Sequence, residues 1–180
     1  MTTIGHTLTG LTFGVLALPR GLSRWARAVY FAVFVLLANV PDIRLPYWGH
    51  HRYAVSHSVF TNLALMGLAV VLVHFLGRRK LWWKWPVVLA ACGAWLSHLL
   101  LDSFYNHGRG IAIFWPFSSA RLTLPLPWFS VQPHRPPPIT AEHWHIYATE
   151  FAFYGMFLLA AIIFRRIVRH QYVSRHIVQD

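Results

Sequence analysis

Six side chains in this sequence carry the chemistry of a metal centre: His6, Asp42, His57, His98, Asp102 and Glu150. Three imidazoles and three carboxylates suit a divalent ion, zinc first and manganese second. His98 and Asp102 stand four apart, the spacing that puts two side chains on one face of a helix. Asp42 follows Pro41 in NVPDIR, where proline ends a helix and leaves a carboxylate at its mouth. His57 lies in HHRYAVSHS; with His50 and His51 that segment holds more imidazoles than one tetrahedral ion accepts alongside His98 and Asp102. His57 is the preferred ligand because it opens an apolar stretch. The six candidates exceed the needs of one four-coordinate ion. A second ion bridged by Asp102 or Asp42 is the natural expansion, and paired ions commonly hydrolyse phosphate esters. In that reading Asp42 or Glu150 takes the proton, and His51 or Arg52 steadies a phosphate. The sequence contains no HExxH, no glycine-rich phosphate loop and nothing resembling a serine or cysteine triad.

These residues are far apart in sequence, yet they fall at corresponding ends of five apolar stretches. The stretches run approximately Ile4–Leu18, Trp25–Val40, Ser58–Leu76, Trp85–Leu101 and Ile146–Val168. In an up-and-down bundle all six candidates then meet at one face of a membrane, where ionisable groups are costly enough to signal function. The prediction is an all-α polytopic membrane bundle of about five helices, forming a single domain over residues 1–180. Composition agrees: 56% of the residues are hydrophobic, the mean hydropathy is +0.44, and only five are acidic. A soluble domain of this size could not hide so much apolar surface. The first two stretches are shorter than the roughly 20 residues of a full span. They are expected to continue into polar residues at each end, rather than to rely on a thinned bilayer.

Between the fourth and fifth stretches lies a loop over 106–145, rich in proline and tryptophan. Its segment RLTLPLPWF suits an extended ribbon confined to an edge by its prolines. The loop is read as a tryptophan-anchored interfacial segment and a candidate lid over the cluster. Residues 165–180 form a basic tail.

The formal charge of +11 invites a nucleic-acid reading, but its distribution argues against one. Eleven of the 16 basic residues occupy three short segments: Arg20, Arg24 and Arg27; Arg78, Arg79, Lys80 and Lys84; Arg165, Arg166, Arg169 and Arg175. All three lie on the side opposite the cluster. The positive-inside rule then puts the tail in the cytoplasm and the cluster outside, with no nucleic-acid partner and with membrane lipids as the surroundings. Cys92 is the sole cysteine and reads as a small packing residue. The first stretch lacks a basic leader and an Ala-x-Ala exit, so it is expected to stay in the mature protein.

At these residues the chain resembles the YdjM-like, LexA-regulated family of inner-membrane, metal-dependent hydrolases. The resemblance runs from His6 to about Glu150. It is carried by the early Gly5–His6, by Pro41–Asp42, by His51–Arg52 with His57–Ser58, by SHLLLD at Ser97–Asp102 and by WPFS at Trp115–Ser118. It implies a multi-pass helical membrane protein with a hydrolase site. Two departures stand out: Arg44 occupies a position where the family often has a second aspartate, and the HR-to-HS spacing is one residue longer. The ligand order is also similar, more loosely, to that of zinc-dependent phospholipase C enzymes. That analogy favours phosphoester chemistry, and a membrane setting favours a lipid-linked substrate.

Two other classes remain open at this level. One is a metal-binding or transport protein without catalysis, although transporters usually place their polar groups near the midplane. The other is a structural membrane protein whose metal staples the helices. The substrate, the number of ions and the oligomeric state are left open.

Overall fold

A computed structural model describes residues 1–49, 52–77, 84–105, 110–124 and 139–177. Among them are six helices and no strand: α1 Thr3–Ala17, α2 Arg24–Asn39, α3 Tyr53–Ser56, α4 Val59–Gly77, α5 Trp85–Ser103 and α6 Ala141–Ile177. Five of these answer to the five apolar stretches, and α3 is an added single turn. Three segments are long and apolar enough to cross a membrane, Arg24–Asp42, Trp85–Ser103 and Ala141–Gln171, with Val59–Phe75 a shorter apolar helix.

Local chemistry sets the ends. Thr2 caps α1 by accepting the Ile4 N–H, and Ser23 caps α2 by accepting the Ala26 N–H. Pro86 sits in the first turn of α5, where its missing N–H costs nothing. Pro41 converts the end of α2 into a 3-10 turn over Val40–Asp42.

The expected extension of the first two helices is only half met. α2 gains the 3-10 turn, but α1 remains at 15 residues. At 1.5 Å per residue that is about 22 Å, short of a hydrocarbon core of about 30 Å. α1 is instead held within the bundle, against α2, α5 and α6. Gly10 allows the closest approach: a Cβ there would stand 2.6 Å from the Phe34 carbonyl oxygen. One core cluster joins Tyr30, Phe34 and Ala94 with Phe13; a second joins Tyr105 and Tyr154.

Both ends of α1 are closed by side chains of α6. Glu150 accepts from the backbone N–H groups of Thr2 (2.9 Å) and Gly5 (3.2 Å). Arg165 donates to the carbonyls of Val15 (2.8 Å) and Leu16 (3.1 Å), and to that of Leu18. Glu150 and Arg165 are separated by as many residues as α1 contains, so the two helices run parallel with ends aligned. Their dipoles then repel side by side, and a carboxylate at the positive end with a guanidinium at the negative end offsets this.

Two sequence-based boundaries move. α6 starts at Ala141, not Ile146, which shortens the 106–145 connection by five residues. The start is held by a side chain: the Thr140 N–H donates to His143 Nδ1 (3.2 Å), and the Thr140 hydroxyl lies 2.7 Å from the same atom. The basic tail is not a separate segment through Ile177; it continues α6. Of the proposed ribbon, only the start is described: Leu122 exchanges backbone hydrogen bonds with Ile111 (2.8 and 3.0 Å) in an isolated antiparallel bridge. The rest of RLTLPLPWF falls outside the described residues.

Candidate metal centre

Four elements bring the site together. The Pro41 turn delivers Asp42, the joint between α3 and α4 delivers His57, and α5 delivers His98 and Asp102 from consecutive turns. α1 delivers His6. Asp42, His57, His98 and Asp102 each offer one ligand atom, and these atoms lie within 4.8 Å of one another. His57, His98 and Asp102 are buried, whereas the Asp42 side chain is 23% exposed and forms the open edge.

The separations test whether an ion fits. Nε2 of His57 and Nε2 of His98 are 3.2 Å apart. Asp42 Oδ1 is 3.4 Å from the first and 3.7 Å from the second. Asp102 Oδ2 is 3.3 Å from the first and 3.5 Å from the second. Zinc bonds of 2.0–2.1 Å at the tetrahedral angle give ligand-to-ligand edges of about 3.3 Å. Five edges of the figure therefore match a four-coordinate zinc-sized ion.

Hydrogen bonding points the same way. His98 Nδ1 donates to the Ala38 carbonyl at 2.9 Å. His57 Nδ1 lies 3.2 Å from the Tyr53 carbonyl and 2.8 Å from the Ser56 hydroxyl. A carbonyl only accepts, so the hydrogen of each neutral ring belongs on Nδ1 and each Nε2 turns a lone pair inward. Two lone pairs and two carboxylate oxygens facing one point are stable only around positive charge. Carbonyls that fix the ring tautomer are the usual outer support of metal-binding histidines.

Burial lowers the affinity of His57 for a proton, but Asp102 and Asp42 outweigh it and hold its pKa above the ordinary value. Tyr53 stacks on the His57 ring at 3.7 Å, and its hydroxyl donates to Asp102 Oδ2 at 3.3 Å. Burial first, then the charges of Asp102 and Asp42, push its pKa above the usual phenol range, so it stays a donor.

His6 sits beside the four rather than among them. Its ring stacks on His98 at 3.7 Å, and its Nε2 is 3.3 Å from Asp102 Oδ1, without hydrogen-bond alignment. The Met1 α-ammonium donates to that same oxygen at 2.9 Å. Asp102 thus turns Oδ2 to the four-atom site and Oδ1 to His6, the arrangement a bridging carboxylate needs.

Glu150 stands apart from the four. It is buried, but its oxygens serve the N-terminus of α1, and the four-atom cluster does not include it. In this structure, without an ion, it caps α1. Arg52 precedes α3, is exposed, and lies with its guanidinium 5.7 Å from the Tyr47 ring centre. His50 and His51 fall outside the described residues.

Sequence reasoning missed the supports. Asn62, fully buried on α4, donates to the carbonyls of Ser56 and Ser58, both at 2.8 Å, and accepts from Trp95 Nε1 at 2.7 Å. It locks the joint bearing His57 against α5. A lone asparagine in an apolar helix was the available signal. The described part of the long connection closes the same corner: Val59 N–H donates to the Ile113 carbonyl (2.8 Å), Leu124 N–H to that of Ser103 (2.6 Å), and the Ser58 hydroxyl to that of Trp115.

A profile of the YdjM inner membrane protein family matches residues 1–172. The chain is also 27% identical, over 143 residues, to the inner membrane protein YbcI of Escherichia coli (strain K12), covering 73% of this chain and 82% of that protein. No solved structure matches it. With the helical architecture, the spans and the match along nearly its whole length, this chain belongs to the YdjM family of inner membrane proteins.

Proposed function

We propose that the protein is a membrane-embedded, metal-dependent hydrolase acting on a phosphoester or another ester at the outer face of the membrane. The observation that carries this reading is the near-tetrahedral spacing of ligand atoms from Asp42, His57, His98 and Asp102. The donor set favours zinc, with manganese next. Such an ion, when bound, acidifies a coordinated water and polarises the oxygen of the bond to be cut. The chain's own residues position and exchange protons. The Tyr53 and Ala38 carbonyls hold the two imidazoles in register, and the Tyr53 hydroxyl restrains Asp102. Asp42, the exposed edge, is assigned the proton from the attacking water, a role in which His57, His98 and Asp102 would hold the ion and leave its fourth position open. Arg52, exposed in the same connection, is assigned the anionic oxygen of the substrate. The basic segments at the opposite helix ends support an outward-facing cluster and a cytoplasmic C-terminal end.

The test pairs metal content with turnover on detergent-purified protein. Wild type should carry stoichiometric zinc and hydrolyse members of a panel of phosphoester lipids. His98→Ala and Asp102→Ala should lose both while remaining monodisperse and helical. Undiminished turnover in both variants would sink the proposal.

A second reading has one observation in its favour: four protein ligands fill a tetrahedral shell, as structural sites do. Here they tie the end of α2 and the α3–α4 joint to α5. If the metal is only a staple, chelation lowers the melting temperature and no substrate in the panel turns over.

A further inference from the structure

The helix α4 has few neighbours in the bundle. α1 packs on three helices, whereas α4 packs on α5 and the short α3. Apolar cavities flank it. One, of about 410 Å³, starts at Val40 and Ile43, the neighbours of Asp42, and passes Trp48, Leu68 and Leu72 to Trp95. The other, of about 260 Å³, continues from Trp95 past Met66, Val70 and Cys92 towards Val73 and Val87 near the opposite ends of α4 and α5. The two share Ala69 and Trp95 as wall residues.

Their lining is apolar almost throughout, so water gains few hydrogen bonds there. Exposed side chains of the α4 surface stand in both walls, Leu65, Leu68 and Leu72 in the first and Val73 in the second. In a membrane protein that surface is the interface with lipid, and the cavities continue it inward. Val40 and Ile43, in the wall of the larger cavity, belong to the turn that carries Asp42, the exposed edge of the cluster. The hydrogen-bonded pair Trp95–Asn62 separates the apolar track from the polar site. Apolar depth with one polar end is the complement of an acyl chain attached to an ester headgroup.

We propose that the track along α4 holds an acyl chain of a membrane phospholipid, with its headgroup ester against Asp42. The substrate is then a long-chain lipid drawn from the bilayer. The identification of the substrate rests on the hydrolase reading; the chain site itself does not.

The experiment reconstitutes the full chain in vesicles of phosphatidylethanolamine and phosphatidylglycerol, doped with a phosphatidylglycerol bearing a diazirine in its acyl chain. Crosslinks are mapped by peptide mass spectrometry. Labelling is expected at half-buried Met66, Val70 and Cys92 in excess of Met156 and Phe157, which are 60% and 54% exposed on α6. Ala69→Trp, which fills the shared wall, should cut the cavity labels severalfold while zinc content holds. Leu89→Trp, exposed on α5 outside both cavities, should leave them unchanged. Should Ala69→Trp lose zinc or aggregate, Val70→Trp replaces it. Labelling that follows exposure alone, or is indifferent to the cavity-filling variant, overturns the proposal. His98→Ala separates the two readings: cavity labels that survive loss of zinc and turnover support the chain site by itself. Equal turnover of short-chain and long-chain phosphoesters overturns the substrate assignment while leaving the hydrolase reading standing.

Discussion

Asn62→Leu offers a demanding test of how the centre is held, because Asn62 is not a ligand. Its side chain makes three hydrogen bonds: to the Ser56 carbonyl, to the Ser58 carbonyl and from Trp95 Nε1. Leucine keeps the branched shape, with bulkier methyl groups, and removes all three. At about 1 kcal/mol net for each bond, metal-free protein should lose about 3 kcal/mol, and more if the three partners stay dry and unpaired. The joint that positions His57 is also released, and loss of such outer supports lowers metal affinity by about 10–100-fold. Zinc affinity measured by competition with a chromophoric chelator, alongside thermal melts of the metal-free protein, separates the two effects. Trp95→Phe supplies the internal control. It removes one bond and leaves both clamps on the joint, so it should cost about 1–3 kcal/mol, including the smaller ring, and change zinc affinity less than Asn62→Leu does. Wild-type zinc affinity in Asn62→Leu would refute the argument that this residue sets the position of His57.

Three further outcomes follow from the geometry. Glu150→Gln should leave zinc stoichiometry unchanged but lower stability by about 1–3 kcal/mol, since a buried charge-assisted cap on α1 is weakened; zinc loss matching that of Asp102→Ala would restore Glu150 as a ligand. Gly10→Ala should destabilise by about 1–3 kcal/mol in melts, because its Cβ meets the Phe34 carbonyl at 2.6 Å; an unchanged melt would show that α1 and α2 can separate freely. Zinc retention should fall as pH is lowered, since the imidazoles ligate only when neutral. With the His57 pKa held above its ordinary value, zinc must displace a proton there, so the zinc affinity followed by equilibrium dialysis should weaken as pH is lowered; an affinity that does not change with pH would contradict histidine ligation.

The resemblance in the sequence and the family profile agree, and the five apolar stretches correspond to α1, α2, α4, α5 and α6. The helix end at Pro41 was readable because proline acts over a few residues. Thr140 with His143 was equally local, yet it was read as loop because proline and tryptophan dominate that segment. The length of α1 was misjudged for a different reason. A short helix is tolerated when neighbours cap both ends, and Glu150 and Arg165 lie far from it in sequence.

The same division runs through the site. His98 and Asp102 could be paired from sequence because the helical repeat brings i and i+4 together. Asp42 and His57 could be placed at the same end of the bundle by counting apolar stretches, but not at ligand distance from that pair. Hydrophobic pattern and charge asymmetry by themselves determined a helical membrane protein with His6, Asp42, His57, His98, Asp102 and Glu150 gathered towards one end. Only the tertiary structure decided which of them converge. A helix end fixes a side chain to within a turn, whereas a metal selects donors to within tenths of an ångström. That precision comes from contacts between segments: the Asn62 clamp, the carbonyls of Tyr53 and Ala38, and the capture of Glu150 by α1.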